Sequence, residues 1–383
     1  MKKIFKSILS FLVVLAIVIS ANLITYAEGQ TDLSLDCKSA VLMEASTGRV
    51  LYEQNADEAL PPASVTKIMT LLLVMEAVDS GSLKLTDSMQ ASEYAASMGG
   101  SQIFIEPNET MTVEELLKSV VIASANDAAV VLAEGICGSV ESFVAKMNNR
   151  AKELGMVNTS FENPTGLDDN TVNHVTSARD IAIMSRELIK HKTIFDYTTV
   201  WMDTVRNGQF GLTNTNRLIR YYNGANGLKT GSTSKAKFCI SATAMRDDMQ
   251  LIAVIMGSPT RDIRNDCAKK LLDYGFANYS LCQFEGGNSD MIKIIGGEKD
   301  LMNTYTQGIS MLVGKGKGKN VESKVNLPDM LEAPVKAGDK VGEIIYTLDG
   351  EEIGRVNITA GETVDRITYF GIVKELLKKI FFI

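Results

Sequence analysis

The chain has 383 residues, of which 45% are hydrophobic, with a formal net charge of −7 and a sequence pI near 5.2. This length can build a large core and a smaller second domain, and the acidic balance excludes a nucleic-acid footprint over the whole chain. The only histidines are His174 and His191, which disfavours a zinc peptidase and a Ser-His-Asp triad. We therefore expect no metal, no cofactor and no nucleic-acid partner.

The N-terminus has the layout of an export signal. Three lysines within residues 1–6 precede an apolar stretch over residues 8–19, and Thr25-Tyr26-Ala27 comes just before an acidic residue. This pattern predicts a signal peptide, residues 1–27, cut after Ala27. An uncleaved anchor is the alternative, because apolar character continues almost to Tyr26. Under either interpretation the body of the protein is exported. We expect the protein at the outer face of the cytoplasmic membrane or in the cell wall.

The cysteines follow no paired spacing. They are odd in number, which argues against a complete disulfide framework. We interpret them mostly as small buried hydrophobic residues and leave open whether any two pair. They are Cys37, Cys137, Cys239, Cys267 and Cys282.

The mature chain begins with a predicted β-hairpin, formed by residues 40–44 and 49–53 around Ala45-Ser46-Thr47-Gly48. Residues 112–115 have the spacing of a capping box and predict a helix through Val121. Apolar periodicity predicts further helices over residues 128–134, 140–154, 177–190 and 264–276, and strands over 227–230, 236–244 and 251–257. Strands at both ends with helices between them predict an α+β domain over residues 28–282, whose antiparallel sheet joins distant parts of the chain. We expect His191, in a charged helical stretch, to be a surface residue.

Beyond residue 283 the helical periodicity fades and short alternating runs take over. Residues 341–348 and 352–358 are joined through Asp349-Gly350, a strong hairpin signal. A small all-β domain is therefore predicted over residues 283–362. The Gly-Lys run over residues 314–319 is interpreted as a flexible solvated turn and is assigned no function.

The sequence of the tail, residues 365–383, predicts an amphipathic helix. Apolar residues recur at helical spacing, while Lys374, Glu375, Lys378 and Lys379 group on the other side; the apolar set is Ile367, Phe370, Val373, Leu377 and Ile380. The segment is too charged to span a bilayer comfortably, so we expect it to lie in the membrane surface. A helix docked on the β domain is the alternative.

The stretch Pro61-Pro62-Ala63-Ser64-Val65-Thr66-Lys67 offers a serine and a lysine three residues apart where a helix should begin. Both side chains then share a helix face. A serine hydroxyl becomes a good nucleophile when a base removes its proton, and a lysine can be that base if its pKa is lowered. Ser64 and Lys67 are thus a candidate nucleophile and activator, although Ser232 and Lys235 have the same spacing.

Two further motifs follow in order, Ser124-Ala125-Asn126 and Lys229-Thr230-Gly231. Together the three resemble the signature of the penicillin-recognising serine enzymes, S-x-x-K, S-x-N and K-T-G. The flanking residues 163–167 (Asn-Pro-Thr-Gly-Leu) and 271–276 (Leu-Leu-Asp-Tyr-Gly-Phe) make the chain similar to the low-molecular-mass D-alanyl-D-alanine carboxypeptidases. The resemblance covers nearly the whole chain and implies a five-stranded sheet, a helical lobe, a site at their junction, a small β domain and a membrane-associated tail.

The resemblance implies a role for each matching residue. Ser64 would form an acyl-enzyme with a stem peptide ending in D-Ala-D-Ala, Lys67 would take its proton, and Ser124 would relay a proton to the leaving amine. Asn126 would bind the substrate's peptide group, and the N–H groups of Ser64 and Ser232 would form the oxyanion hole. The terminal carboxylate would face Lys229 and Thr230 of the Lys229-Thr230-Gly231 motif, supported by Arg264, with Arg261 a weaker candidate. β-Lactam antibiotics would be inhibitors, and we expect His174 to make a structural hydrogen bond.

Two other functions remain open from the sequence. A β-lactamase shares the three motifs but needs a deacylating base, usually a glutamate on a loop after the second motif. Here that loop, around Glu162, resembles the carboxypeptidases instead. A non-catalytic penicillin-binding protein of the cell wall is the other alternative, and intact Ser64, Lys67 and Lys229 speak against it. The chain departs from many relatives at Asn108-Glu109 and Lys235-Ala236-Lys237.

Overall fold

The computed structural model describes residues 32–381, without the side chains of residues 375, 378, 379 and 381. The expected signal peptide lies outside the described residues. The chain divides into two units, Met1–Leu35 and Asp36–Ile383. Of the first, residues 32–35 are described, and there the Ser34 N–H donates to Oδ1 of Asp32 at 2.8 Å. The helices and strands named below all lie in the second unit.

A five-stranded antiparallel sheet organises the N-terminal part, in the order β2-β1-β9-β8-β7. The hairpin and the late strands predicted from the sequence are confirmed. The strands are β1 (Ser39–Glu44), β2 (Val50–Gln54), β7 (Ala225–Thr233), β8 (Lys237–Arg246) and β9 (Met249–Ser258). Since β1 pairs with β9, the N-terminal hairpin joins a sheet whose other three strands come much later in the chain, from Ala225 onward.

Helices cover both faces of this sheet. Long runs of β8 and β9 are buried, as expected for strands covered on both sides. On one face, helix α9 (Arg261–Asn278) brings Gly275 against Leu42 and Leu251. On the opposite face, Ser185 of helix α6 (Ala178–Leu188) meets Ser241 of β8, hydroxyl to hydroxyl, at 2.8 Å.

The helical region lies between β2 and β7 in the chain. Its central helix is α1 (Lys67–Asp79), in which almost every side chain is buried, as expected for a helix that is apolar on all sides. The other helices are α2 (Glu93–Ala96), α3 (Val113–Lys118), α4 (Asn126–Cys137), α5 (Val140–Glu153), α7 (Phe195–Thr198) and α8 (Leu218–Tyr221). Two small ribbons join them, β3 (Ser88–Gln90) with β4 (Thr110–Thr112), and β5 (Met202–Val205) with β6 (Phe210–Thr213).

The predicted capping box is confirmed, but the helix that it starts ends early. Thr112 and Glu115 exchange both capping hydrogen bonds at the N-terminus of α3. The helix was predicted to run through Val121; instead it widens after Lys118 into a π turn, Ser119–Ala123, which ends at Ser124 in a left-handed conformation with φ 64°. The Ala125 N–H donates to the Ser119 carbonyl and closes the turn. This local rearrangement sets the direction of the Ser124 side chain.

Between α9 and the C-terminal helix the chain forms β-sheets, as predicted. Its sheets have the orders β11-β14-β19-β18-β16, β13-β12-β17 and β10-β15. The predicted hairpin is β18 and β19, and its turn residues Asp349 and Gly350 both have positive φ, as a type I′ turn requires. The strands are β10 (Tyr279–Phe284), β11 (Gly287–Asn288), β12 (Ile292–Ile295), β13 (Leu301–Met302), β14 (Thr304–Thr306), β15 (Ile309–Gly314), β16 (Val321–Asn326), β17 (Met330–Glu332), β18 (Lys340–Leu348) and β19 (Glu351–Ala360).

The C-terminal helix α10 (Tyr369–Phe381) begins four residues later than predicted. The segment before it pairs along the loop after β12: the Glu298 N–H donates to the Asp365 carbonyl, and the Ile367 N–H donates to the Gly296 carbonyl. Ile367 therefore lies outside the helix whose apolar face it was expected to join. Among residues 32–381, no single helix has the length and apolarity to cross a membrane; α4 and α5 meet that test only together, as a pair bent by 85°.

Candidate active site

Ser64 and Lys67 meet where a tight turn enters α1. Residues Ala63–Thr66 form a 3-10 turn that leads directly into the helix. Nζ of Lys67 lies 3.0 Å from Oγ of Ser64. Ser232 and Lys235, which have the same spacing in the sequence, do not form such a pair, because Nζ of Lys235 donates to the Asp168 carbonyl at 2.6 Å.

The Lys67 side chain is completely buried, and its nitrogen has two further partners. Nζ donates to Oδ1 of Asn126 at 2.6 Å and to the Thr165 carbonyl at 2.7 Å. Burial, and secondly the charge of Lys229, hold the pKa of Lys67 well below its usual range. A neutral amine has two N–H donors and one lone pair. Asn126 and Thr165 take the two donors, so the lone pair is directed at the Ser64 hydroxyl, where a general base needs it.

A loop of residues 163–167 supports this turn from behind. Oδ1 of Asn163 accepts hydrogen bonds from the N–H groups of Thr165 and Gly166, which fixes the loop. A Cβ on Gly166 would lie 1.8 Å from the Ala63 carbonyl oxygen. The sequence marked this segment only by resemblance, and the structure adds that its Thr165 carbonyl is a direct partner of Lys67.

The second motif contributes from the turn that starts α4. Oγ of Ser124 accepts a hydrogen bond from Nζ of Lys229 at 2.8 Å. Asn126 uses both ends of its amide: Oδ1 receives Lys67, and Nδ2 donates to the Gly99 carbonyl at 2.6 Å. Asn126 therefore joins the base to the loop that carries Ser101, on the far side of the cleft.

The third motif lies on β7, at the edge of the main sheet. Lys229 is buried, and burial, with a smaller effect of Arg264, lowers its pKa to about 7. Thr230 donates from its hydroxyl to Oγ1 of Thr215 at 2.8 Å. A Cβ on Gly231 would lie 2.7 Å from the Ser64 nitrogen, so only glycine lets the strand approach the nucleophile this closely. Ser232 follows and lines the cleft.

The cleft has a volume of about 670 Å³. Six of the nine predicted site residues line it, namely Ser64, Ser124, Thr230, Gly231, Ser232 and Arg264, whereas Lys67, Asn126 and Lys229 do not. Sequence reasoning passed over several other lining residues, which belong to no motif: Ser101, Trp201, Thr213, Asn214, Thr215, Arg217 and Tyr221. Arg261, the weaker candidate of the sequence analysis, also lines it.

His174 has the structural role expected of it. The Glu162 N–H donates to Nδ1 at 3.0 Å, so the ring proton is on Nε2, which donates to Oγ1 of Thr66 at 2.8 Å. Burial lowers the pKa of His174 to about 4. His191 was expected at the surface, and this is only partly right: its side chain is 15% exposed and its Nδ1 lies 2.5 Å from Oδ2 of Asp79.

The Glu162 carboxylate is engaged away from the nucleophile. It accepts hydrogen bonds from the N–H groups of Val172 and Asn173, and it is not among the residues that line the cleft. A deacylating glutamate of the β-lactamase kind must reach a water beside the acyl-serine. The geometry around Glu162 therefore favours the carboxypeptidase interpretation over the β-lactamase.

Comparison with known proteins agrees with the three motifs. Residues 26–260 match the D-alanyl-D-alanine carboxypeptidase family of peptidases. The chain belongs to this family. Residues 290–366 match the C-terminal domain of penicillin-binding protein 5. The expected α+β domain, followed by a small all-β domain, is thereby confirmed, and so is the prediction that the chain is a serine-type carboxypeptidase rather than a β-lactamase or a non-catalytic wall protein.

Individual relatives extend over most of the chain. A D-alanyl-D-alanine carboxypeptidase of Bacillus subtilis is 42% identical over 384 residues, covering 98% of each chain. A structure of penicillin-binding protein 5 from Haemophilus influenzae is 32% identical with a TM-score of 0.77, covering 87% of this chain and 98% of that one. Penicillin-binding protein D2 of Listeria monocytogenes, in its ampicillin-bound form, is 33% identical with a TM-score of 0.59, covering 64% and 99%.

The close contact between β7 and Ser64 predicts that Gly231→Ala slows acylation strongly, because the added Cβ displaces the Ser64 backbone. The measurement is the rate of covalent labelling by a fluorescent penicillin. Gly211→Ala is the matched control, since a Cβ there meets nothing within 4 Å. Labelling of Gly231→Ala at the rate of Gly211→Ala would contradict the steric account.

The buried neutral His174 predicts a loss of stability in acid. Between pH 6.5 and about 4 the unfolded chain binds a proton on this residue that the folded chain does not. The free energy of unfolding therefore falls as the pH is lowered through this window, by up to about 3 kcal/mol from this group. Unfolding midpoints at pH 7 and pH 4.5 should differ more for the wild type than for His174→Asn. An equal or larger difference in the variant would refute the assignment.

Proposed function

We propose that this protein removes the terminal D-alanine from peptidoglycan stem pentapeptides ending in D-Ala-D-Ala, through an acyl-enzyme on Ser64. The observation that carries this proposal is the buried Lys67 amine. Its two N–H donors are occupied by Asn126 and Thr165, and its nitrogen lies 3.0 Å from the Ser64 hydroxyl. This is the arrangement of a nucleophile with a neutral amine as its base.

Acylation then follows from the positions of the groups. Oγ of Ser64 attacks the carbonyl of the penultimate D-alanine while Nζ of Lys67 takes its proton. The oxyanion forms beside the backbone N–H groups of Ser64 and Ser232. Ser124, hydrogen-bonded to Lys229, gives its hydroxyl proton to the leaving nitrogen as the C–N bond breaks. The proton held by Lys67 then replaces it on Ser124, so Lys67 is neutral again for the next step. D-Alanine leaves with its carboxylate.

Deacylation uses the same base. A water molecule attacks the ester carbonyl, Lys67 takes the water's proton, and that proton returns to Oγ of Ser64 as the C–O bond breaks. The shortened stem peptide is released and the enzyme is regenerated. A β-lactam is an amide that also carries a carboxylate, so we propose that it acylates Ser64 and is hydrolysed poorly. The ampicillin-bound form of the similar Listeria protein supports this part of the proposal.

Selection for a terminal residue comes from the cations at one end of the cleft. We propose that Lys229 and Thr230 face the substrate's carboxylate and that Arg264 adds positive potential. Arg264 is buried three residues into α9, and burial, with Arg261 nearby, lowers its pKa only to about 10, so it stays charged at neutral pH. Asn126 would hold the acyl side of the peptide.

Ser64→Ala should abolish D-alanine release from a stem pentapeptide while leaving substrate binding intact, because only the nucleophile is removed. Peptide mapping after penicillin labelling of the wild type should find the adduct on the Ser64 peptide. An adduct elsewhere would rule out the assignment. Ser232→Ala is the control, since it removes the other cleft serine with a lysine three residues later but keeps its backbone N–H.

A pentapeptide with a C-terminal amide should be cleaved at least tenfold more slowly than the free acid. Losing one charge-assisted hydrogen bond typically costs about 1.5 to 3 kcal/mol. The measurement is kcat/KM for both peptides with the wild type. Equal kcat/KM values for the two peptides would show that the cations at this end of the cleft do not recognise the carboxylate.

We propose that α10 lies in the outer surface of the cytoplasmic membrane and holds the enzyme there as a peripheral protein. Its apolar side chains are exposed instead of packed on the β domain, which weighs against the docked alternative. Phe370 is 83% exposed and Ile380 is 65% exposed. The lysines on the other side, seen in the sequence at positions 374, 378 and 379, suit a lipid headgroup layer. An export signal over residues 1–27 fits this location.

The division of the chain that we propose follows the sequence analysis, with one boundary moved. Strand β10 starts at Tyr279 and crosses the expected boundary at residue 282, and all of it pairs with β15. We therefore propose a catalytic domain ending near residue 278, a β domain up to about residue 362, and the anchoring segment over residues 365–383.

Removing residues 365–383 should release the protein from membranes without loss of D-alanine release. The comparison is sedimentation with membranes for the full-length and truncated proteins, both after processing of the signal peptide. Phe370→Ser is a milder variant that should weaken binding. If both lengths stay equally soluble and equally active, the tail does not anchor the protein.

A further inference from the structure

One loop of the catalytic domain contacts both the base and the strand that ends in the proposed oxyanion hole. This loop is formed by residues 163–168 and is called the support loop below. Its Thr165 carbonyl accepts a hydrogen bond from Nζ of Lys67 at 2.7 Å. Its Pro164 carbonyl accepts one from the Thr70 hydroxyl, also at 2.7 Å. Both donors belong to the first turn of α1, so the support loop is fixed to the start of that helix.

The support loop is also held by hydrogen bonds within itself. Oδ1 of Asn163 accepts hydrogen bonds from the Thr165 hydroxyl and from the N–H groups of Thr165 and Gly166. Nδ2 of Asn163 donates to the Leu167 carbonyl at 2.8 Å. A polar network whose members are satisfied in this way rigidifies the segment that carries it. A contact at one end of the support loop therefore fixes the position of a contact at its other end.

The last residue of the support loop, Asp168, is clamped to the end of β7. It is 4% exposed. Its Oδ2 accepts a hydrogen bond from the Thr233 hydroxyl at 2.5 Å, and its carbonyl accepts one from Nζ of Lys235. The Thr233 hydroxyl oxygen also accepts the Ala236 N–H at 2.9 Å. The same hydroxyl thus closes the turn between β7 and β8 and joins that turn to the support loop.

Ser232 lies between two fixed points of β7. On one side, a Cβ on Gly231 would lie 2.7 Å from the Ser64 nitrogen, so the two backbones are in close contact. On the other side, Thr233 is hydrogen-bonded to Asp168. An oxyanion hole stabilises the transition state only when its N–H donors are held in place, and a misplacement of about 1 Å can cost about 100-fold in rate. The position of the Ser232 N–H therefore depends on both contacts.

We propose that Asp168 is a positioning residue for the oxyanion hole: acting through the Thr233 hydroxyl, it holds the Ser232 N–H at the distance from Ser64 that the transition state needs. This inference rests on the proposed function. It adds a residue that belongs to none of the three motifs and is not among those that line the cleft. The support loop then sets the base and the oxyanion hole relative to each other, because it contacts both.

A second buried threonine–aspartate pair provides a matched control. The Thr159 hydroxyl donates to Oδ2 of Asp180 at 2.7 Å, and Asp180 is 1% exposed. Neither residue is among those that line the cleft. Thr159→Val and Thr233→Val make the same change of side chain and remove the same kind of hydrogen bond to a buried carboxylate. Only the second of these bonds adjoins an N–H group of the oxyanion hole.

The experiment measures kcat and KM for D-alanine release from a stem pentapeptide, and the rate of acylation by a saturating fluorescent penicillin, with full-length proteins. For Thr233→Val and Asp168→Ala we expect kcat and the acylation rate to fall by about 10- to 100-fold. KM should stay close to the wild-type value, because the hole binds an oxyanion that exists only beyond the ground state. Thr233→Ser keeps the hydroxyl and should retain the wild-type rates. Thr159→Val should retain them as well.

The double variant tests whether Asp168 acts through Thr233. Asp168→Ala combined with Thr233→Val should be no slower than either single variant, because both remove one and the same clamp. A further loss in the double variant would overturn the inference. So would wild-type rates in Thr233→Val, a loss confined to KM, or an equal loss in Thr159→Val. If Asp168→Ala does not fold, the comparison of Thr233→Val with Thr233→Ser still decides.

The two readouts separate a failure of this inference from a failure of the proposed function. If the wild type releases no D-alanine from the pentapeptide, the proposed function is wrong. Acylation by the penicillin forms an oxyanion at the same N–H groups without requiring peptide hydrolysis. The acylation rates of Thr233→Val, Thr233→Ser and Thr159→Val then still decide the role of the clamp.

Discussion

The site depends on keeping a lysine amine neutral inside the protein. Lys67 is fully buried, and no carboxylate of the described residues is hydrogen-bonded to its nitrogen. Moving a charged ammonium into such a place is costly, so the neutral form is favoured and becomes available as a base. Asn126 and the Thr165 carbonyl accept its hydrogens without supplying a formal charge. The same burial that stabilises the core thus produces the chemical property that the reaction needs.

The surrounding backbone approaches closely enough to make that burial possible. Gly231 of β7 touches the Ser64 nitrogen, and Gly166 touches the Ala63 carbonyl. Both contacts exclude any side chain, so the strand and the loop close over the turn and remove water from it. On a third side of the turn, Asn126 accepts a hydrogen bond from Lys67 and donates one to the Gly99 carbonyl. Helix, strand and loop are each needed, because none of them alone can bury an amine and leave a hydroxyl accessible.

The positive charge of the cleft comes from residues other than Lys67, the neutral base. Lys229 and Arg264 are buried in the sheet and α9, while Arg217 and Arg261 are exposed on its rim. Buried cations repel one another and lower each other's pKa, which ties the protonation of Lys229 to its neighbours. The rim arginines are free to contact a ligand. Besides burial, the charges of Arg261 and Arg217 lower the pKa of Arg264 in the same way.

The sequence by itself determined the chemistry and the fold class. Ser64 and Lys67 at a helix start are a short local pattern, and the two later motifs extended it to a reaction through the resemblance to a known family. The hairpin at Asp349-Gly350 and the capping box at Thr112 were predictable because each is a short local pattern.

Tertiary structure decided the rest. Three contacts depend on residues that are separated in the chain: the Thr215 N–H on the Ile122 carbonyl of the π turn, the Thr165 carbonyl on Lys67, and the Thr230 hydroxyl on Thr215. The start of α10 was set in the same way, since residues 365–367 pair with residues 296–298 instead of joining the helix. Local propensity carries no information about such partners, so only the folded chain could supply them.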